Sequence, residues 1–244
     1  MNLDHAVSIV TGASGGIGRA IAVALAERQG RVVAVGRRPS ALEEAAAAIA
    51  THGGQAVTVT GDVAHPDTAR CAVDLARSRF GRVDLLVNAA GFGPPMPLAD
   101  LTRDVWDATI DSCLTGVYAM TRAVLPLMVD AGAGHIVNVS SIAGKGAEAN
   151  RTAYCAAKWG LEGFSLALRA ELVGTGVRVH VLNPASVATA WWEATGDPQP
   201  PEVLAAMLDP DDVARAALWV LTQPAHVRID DLVIHNADNP WRSP

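Results

Sequence analysis

Short apolar runs rich in β-branched residues alternate along this chain with longer, alanine-rich stretches whose apolar positions recur every three to four residues. The runs Ala6–Thr11, Arg31–Gly36, Gln55–Gly61, Val83–Asn88, Gly134–Ser140, Val177–Asn183 and Arg228–His235 read as seven strands. Helical spacing covers about 16–29, 40–51, 66–79, 102–131, 152–173 and 210–222. Pro39-Ser40 and Pro66-Asp67 supply the proline and small polar residues that open helices. Strict alternation of the two kinds of segment predicts strand–helix units wound around a mostly parallel sheet, an α/β architecture with helices on both sides. No proline-rich or charged linker divides the chain, so residues 1–244 are expected to form a single domain. The exception to compactness is Ala185–Asp209, where Trp191-Trp192 and Asp197-Pro198-Gln199-Pro200-Pro201 interrupt regular structure after the sixth strand. An insert of that kind often acts as a lid, and mobility without ligand is expected of it.

Composition narrows the partner. Half of the 244 residues are hydrophobic and 18% are charged, which is too apolar for disorder. The net charge of -6 offers no field for a polyanion, so nucleic acid and anionic membranes are poor partners and a small molecule is the better one. Cys71, Cys113 and Cys155 lack metal or disulfide spacing and read as reduced, buried thiols. The histidines match no ligand motif, and His135, His180 and His235 fall in apolar strands where a structural role is expected; no metal is predicted. The first residues carry an acid where a signal peptide needs positive charge, and no uninterrupted apolar run has membrane-spanning length, so the cytoplasm is expected.

The first strand runs into Thr11-Gly12-Ala13-Ser14-Gly15-Gly16-Ile17-Gly18 and then a helix. Glycines there let a pyrophosphate approach backbone N–H groups at the positive end of the helix, the phosphate cradle of a Rossmann fold. The same letters satisfy G-x-S-x-G with Ser14 as a hydrolase nucleophile, but a nucleophile elbow normally follows several core strands, with its acid and histidine later in the chain. At the end of the second strand an acid would bind the ribose hydroxyls of NAD, whereas an arginine would pair with the 2′-phosphate of NADP. The chain has Gly36-Arg37-Arg38, which favours NADP(H) over NAD(H) and assigns the phosphate to Arg37, with Arg38 as a second contact. Asp62, followed by Val63, could accept from the adenine amino group, though a turn-forming Asp is nearly as good a reading. Asn88-Ala89-Ala90-Gly91 places small residues where a nucleotide backbone could pass.

Tyr154-Cys155-Ala156-Ala157-Lys158 joins one of two tyrosines to one of two lysines at i and i+4, so both side chains share a helix face. An ammonium beside a phenol favours the phenolate. A phenol that ionises near 10 must come down close to neutrality to exchange protons there, about 4 kcal/mol of stabilisation.

Taken together, these motifs resemble the short-chain dehydrogenase/reductase superfamily in its single-domain form, and the likeness covers nearly the whole chain. It implies that Thr11-Gly12 with Gly16 and Gly18 is the cofactor motif, that Asn88–Gly91 is structural, and that Ser141 joins Tyr154 and Lys158 as the catalytic set, with Ser140 the weaker candidate. Asn183-Pro184-Ala185-Ser186-Val187-Ala188-Thr189 is similar to a family segment in which Pro184, Val187 and Thr189 would meet the nicotinamide end. The implied reaction interconverts a ketone or aldehyde and an alcohol: Ser141 orients the oxygen, Tyr154 exchanges the proton, and Lys158 binds ribose hydroxyls and lowers the tyrosine pKa. Two residues depart from the pattern: Cys113 stands in place of a catalytic asparagine, and Ala185 in place of a glycine. Cys113 motivates an alternative, a dinucleotide-binding sensor or scaffold with weakened turnover. The chain end is loosely similar to members acting on small hydroxy acids or natural-product ketones. Trp191, Trp192 and the loops Phe92–Leu98 and Ala143–Asn150 are expected to wall an apolar pocket, although the tryptophans could instead cover a subunit contact. The family further implies a homotetramer or homodimer through the long helices at about 102–131 and 152–173, with which an apolar chain end carrying Trp241 is compatible.

Overall fold

A computed structural model describes residues 1–237; Trp241 lies outside them. Seven strands, β1 (Val7–Thr11), β2 (Arg31–Gly36), β3 (Gln55–Thr60), β4 (Leu85–Asn88), β5 (Gly134–Val139), β6 (Val177–Pro184) and β7 (Asp231–Ile234), form one sheet in the order β3-β2-β1-β4-β5-β6-β7. Every neighbouring pair is parallel. Helices α1 (Gly16–Ala26), α2 (Pro39–Thr51) and α9 (Pro210–Leu221) pack with one face. Helices α3 (Pro66–Phe80), α5 (Gly116–Asp130) and α6 (Thr152–Glu171) pack with the other. The strands are apolar at consecutive positions because both faces are covered. Val7 and Ile9 enter one core and Val10 the other; Val33 and Val35 enter the first, Val32 and Ala34 the second.

Chain direction reverses across the sheet between β1 and β4, so the loops leaving their carboxyl ends diverge and leave a crevice. All the chemistry-bearing motifs sit at this rim.

Four local outcomes differ from the expectations. The single helix at 102–131 is α4 (Arg103–Ile110), one π-helical segment (Asp111–Thr115) and α5, with buried Cys113 inside the π segment. The whole stretch, Arg103–Asp130, is long and apolar enough to cross a membrane, but Met120, Val124 and Met128 are buried in the core beside β5 and α3, as in a core helix. In α2 the cap position is Arg38, with Pro39 as the first helical residue and no side-chain cap; α3 is capped by the His65 ring, which accepts from the Asp67 N–H at 3.3 Å. The 185–209 segment carries two short helices, α7 (Trp191–Ala194) and α8 (Pro201–Ala205). Its ends are tied together where the Ala188 N–H donates to the Leu208 carbonyl and the Leu208 N–H to that of Ser186. All three cysteines are free, but only Cys113 is buried as expected: Cys155 is half-buried, and Cys71 is exposed because position 71 falls on the solvent side of α3.

His135 and His180 stack across β5 and β6 with ring centroids 5.2 Å apart. His180 Nδ1 faces the Ile229 carbonyl at 2.6 Å and must donate, so its Nε2 is the acceptor for His135 Nδ1 at 3.0 Å. Two neutral rings satisfy this arrangement, whereas two imidazoliums would set donor against donor. Burial, then His180, the amino terminus and Arg178, push the His135 pKa down to about 3; burial likewise lowers His180. The unfolded chain binds these protons near pH 6.5, so below that pH it holds more of them than the native state does. Stability should therefore fall as pH drops from about 6.5 toward 3, His135 alone contributing a slope approaching about 1.4 kcal/mol per pH unit. Thermal melts between pH 7.5 and 4.5 check this, and His135→Gln should flatten the dependence.

Candidate active site

A cleft of about 400 Å³ runs along the carboxyl ends of the strands. Its first part is made by the turn after β1. Gly12 has φ +66°, and a Cβ there would lie 2.8 Å from the Ala89 carbonyl oxygen, so only glycine lets the β1 and β4 loops approach this closely. Gly18 serves packing instead: a Cβ on it would come within 2.5 Å of the Gly12 oxygen, and it does not line the cleft. Gly12, Ser14, Gly16 and Ile17 do line it. The amino end of α1 has Gly15 at its cap with no side-chain partner and no acidic residue in its first turn, so its N–H groups and its positive end suit an anion.

Arg37 and Arg38 border this end together with Asp62 and Val63. Arg38 Nη2 donates to the Ser14 carbonyl at 3.3 Å and so braces the loop, whereas Arg37 has no such tie. The Asp62 carboxylate accepts the Ala64 N–H at 2.9 Å, the turn-forming reading, while its residue still faces the cleft. Asn88 is placed elsewhere. It is buried beneath the rim, donating to Asn138 Oδ1 at 2.9 Å, and only Ala89, Ala90 and Gly91 after it reach the cleft.

At the far end, α6 presents Tyr154 and Lys158 on one face, and the turn after β5 presents Ser141. The Ser141 hydroxyl lies on the Tyr154 side of the cleft and favours the ionised form of the phenol. Ser141 Oγ also accepts the Ala143 N–H at 3.1 Å, which fixes its rotamer. Lys158 is buried, lies 5.5 Å from the Tyr154 ring centroid, and donates to the Val139 carbonyl at 2.8 Å. Burial holds the Lys158 pKa below its ordinary value, with Cys113 and Glu162 acting against that. For Tyr154, burial pushes the phenol up, reinforced by Cys113 and Glu148 and opposed by Ser141 and Arg151. The Lys158 ammonium is directed to the Val139 carbonyl, and Ser141 and Arg151 favour the phenolate.

Cys113 Sγ donates to the Phe92 carbonyl at 3.3 Å. A Cβ on Gly91 would lie 3.5 Å from that sulfur and 4.0 Å from Lys158 Nζ, so thiol, ammonium and the β4 loop converge on one spot. Pro184, Ala185, Val187 and Thr189 line the side facing α1, where a Cβ on Gly16 would sit 3.2 Å from the Thr189 methyl.

Trp191, Trp192 and Glu148 line the mouth, in keeping with the expected walls. Phe92–Leu98 does not line it. That loop packs behind Tyr154, where a Cβ on Gly93 would collide with the ring at 2.4 Å. Three lining residues escaped the sequence reading. Ser112 precedes Cys113 in the π segment, Ile142 follows Ser141, and Arg151, just past the expected loop, is a buried cation whose ring partners and Asp197 are distant in sequence. No histidine lines the cleft among the described residues, so Ser14 lacks a general base and the hydrolase reading falls.

Comparison with known proteins agrees with this geometry. The short chain dehydrogenase family profile matches residues 6–200. An uncharacterised oxidoreductase of Staphylococcus saprophyticus is 36% identical, with 96% of this chain and 98% of the relative aligned. D-threitol dehydrogenase of Mycolicibacterium smegmatis is also 36% identical, over 95% and 92% of the two chains. Among solved structures, a metagenomic short-chain oxidoreductase in complex with NADP superposes with a TM-score of 0.83 at 34% identity, covering 96% of this chain and 98% of that one. An alcohol dehydrogenase from the archaeon Thermococcus sibiricus, complexed with 5-hydroxy-NADP, gives 0.87 at 27% identity over 98% of both. With its parallel sheet, glycine cradle and Tyr154–Lys158 face, the chain belongs to the short-chain dehydrogenase family and is an oxidoreductase acting between CH–OH and C=O.

Proposed function

We propose that the protein is an NADP(H)-dependent oxidoreductase that interconverts a small uncharged alcohol and its ketone or aldehyde, working as a single domain of residues 1–244 with 185–209 as the substrate loop. The observation that carries the reading is the meeting of Ser141, Tyr154 and Lys158 at one end of a cleft whose other end is an open helix amino terminus flanked by Arg37 and Arg38. A dinucleotide suits that cleft, with its pyrophosphate at Gly12–Ile17, its 2′-phosphate at Arg37 and Arg38, its adenine beside Asp62 and Val63, and its nicotinamide end near Pro184, Val187 and Thr189. Bound there, NADP(H) supplies or accepts the hydride. The chain does the rest. Ser141 donates to the substrate oxygen and holds it against Tyr154, and the Tyr154 hydroxyl gives up its proton as that oxygen gains charge. Lys158, held by the Val139 carbonyl, would bind the ribose hydroxyls. Asn88 acts from below the rim, through Asn138, as a structural residue.

The uncharged substrate follows from the mouth, where the carboxylates of Glu148 and Asp197 outnumber the Arg151 guanidinium they flank. A hydroxy acid would meet surplus negative charge. The relative that acts on D-threitol, a neutral polyol, is consistent with this. Exposed Tyr118 on α5, with Trp159 and Leu166 on α6, gives those helices an apolar outer surface suited to a homodimer or homotetramer, and the expected compartment is the cytoplasm.

The weakened-sensor alternative turns on Cys113. Because the thiol donates to the Phe92 carbonyl and an amide N–H can make the same bond, Cys113→Asn should change turnover by no more than about tenfold, 1.4 kcal/mol. A much larger gain would show that the native relay is broken and favour the sensor. The reading as a whole is tested by following NADPH absorbance against a panel of neutral ketones, aldehydes and polyols. Binding of NADPH without any consumption would refute it.

A further inference from the structure

Arg151 precedes Tyr154 by one helical turn, at the cap of α6, and its side chain is 8% exposed. A buried guanidinium needs partners, since leaving one unpaired costs several kcal/mol. One partner is local, Glu148 Oε2 at 3.5 Å from Nε, and the others come from two remote segments. Nη1 donates to the Gly93 carbonyl at 2.8 Å, in the loop that backs the Tyr154 ring, and Nη2 donates to Asp197 Oδ2 at 2.9 Å, just beyond α7. The guanidinium carbon stands 5.1 Å from the Trp191 ring and 5.6 Å from the Trp192 ring, within the range of cation–π attraction. Trp191 in turn lies 5.7 Å from Tyr154 by ring centroid and meets Trp192 edge-on at 5.2 Å. Little else secures the far end of α7: Thr195 turns back on α7 itself, and Gly196 has φ +75° with open space around it.

We propose that Arg151 is a positioning residue that latches the Trp191–Trp192 wall across Tyr154 by clamping Asp197 and the Gly93 loop together, and so sets the size of the substrate pocket. On this account the far end of the lid expected from the proline-rich segment is held by one ion pair and two ring faces, with the Trp192 indole also donating to the Val187 carbonyl at 2.9 Å, and it opens when the Arg151 contacts part. Placement of the same cation next to the phenol also favours the phenolate, so closing the wall and readying the proton donor use one side chain. The latch rests on the proposed function only in naming Tyr154 as what the wall covers, and it is tested without turnover.

Hydrogen exchange of the full-length protein without cofactor reads the latch directly. In Arg151→Met and in Asp197→Asn, the amides of Thr195, Gly196 and Asp197 should exchange about tenfold faster or more, while those of β1 and α1 stay within about twofold. The double variant should exchange no faster than the singles, because both remove one contact. Arg151→Lys, which keeps the charge, should restore part of the protection. Asp197 sits on a partly exposed loop, so its variant folds even if Arg151→Met does not, and it then carries the test. Unchanged exchange at 195–197, or a uniform rise that includes β1 and α1, overturns the latch. If wild-type turnover is normal in that case, the proposed function stands without it. Localised exchange with no NADPH consumption sinks the function and leaves the latch.

Discussion

Replacing Tyr154 with phenylalanine should lower turnover by about 10³-fold or more while leaving NADPH affinity within about threefold. The loss follows from the site's inventory. Lys158 donates to the Val139 carbonyl, and among the described residues the cleft holds no other phenol and no imidazole. Phenylalanine keeps the ring contacts with Gly93 and Trp191, so the wall of the cleft survives and only the hydroxyl goes. Single-turnover mixing of NADPH with a ketone, alongside a fluorescence titration of NADPH, separates the two quantities. Retained turnover would remove Tyr154 from the mechanism.

Cofactor choice is the second large effect. Arg37→Ala should weaken NADPH by roughly 10- to 100-fold, about 1.5–3 kcal/mol for a lost charged hydrogen bond, and leave NADH nearly unchanged. Arg38→Ala should behave differently. Its guanidinium braces the Ser14 carbonyl, so its removal loosens the phosphate loop and should weaken both cofactors, NADPH the more. Isothermal titration of both variants with both cofactors gives the four affinities. Equal losses of NADPH and NADH in Arg37→Ala would refute the assignment of the 2′-phosphate.

These two predictions draw on residues that local spacing makes readable. Tyr154 and Lys158 are one helical turn apart, so the sequence alone places them on one face, and the glycine run after β1 declares its turn because Gly12 needs positive φ and Gly18 close packing. Seven strands and their parallel order follow for the same reason: each is an uninterrupted apolar run between helices, and both sheet faces are covered.

Residues whose role depends on contacts far along the chain were harder to read. Arg151 looks like any solvated arginine until the fold brings Gly93 and Asp197 to it from 58 and 46 residues away. The π-helical segment at Asp111–Thr115 left no mark on the helical period, so 102–131 read as continuous. Asn88 was recognised as part of a motif, but its side chain turns down to Asn138 and Thr121, a direction that strand periodicity cannot supply when both faces are buried. The Tyr154 ammonium partner was inferred from sequence separation, yet the Val139 carbonyl competes for the same ammonium.

The central claim is direct hydride transfer at this cleft, and isotopic labelling tests it most directly. NADPH carrying deuterium at both C4 positions of the nicotinamide is consumed in the presence of a neutral ketone, and the alcohol is analysed by mass spectrometry. The account predicts one deuterium per molecule, on the carbinol carbon. Alcohol formed without that label, or NADPH bound but never consumed against the whole panel of neutral carbonyl compounds, would contradict it.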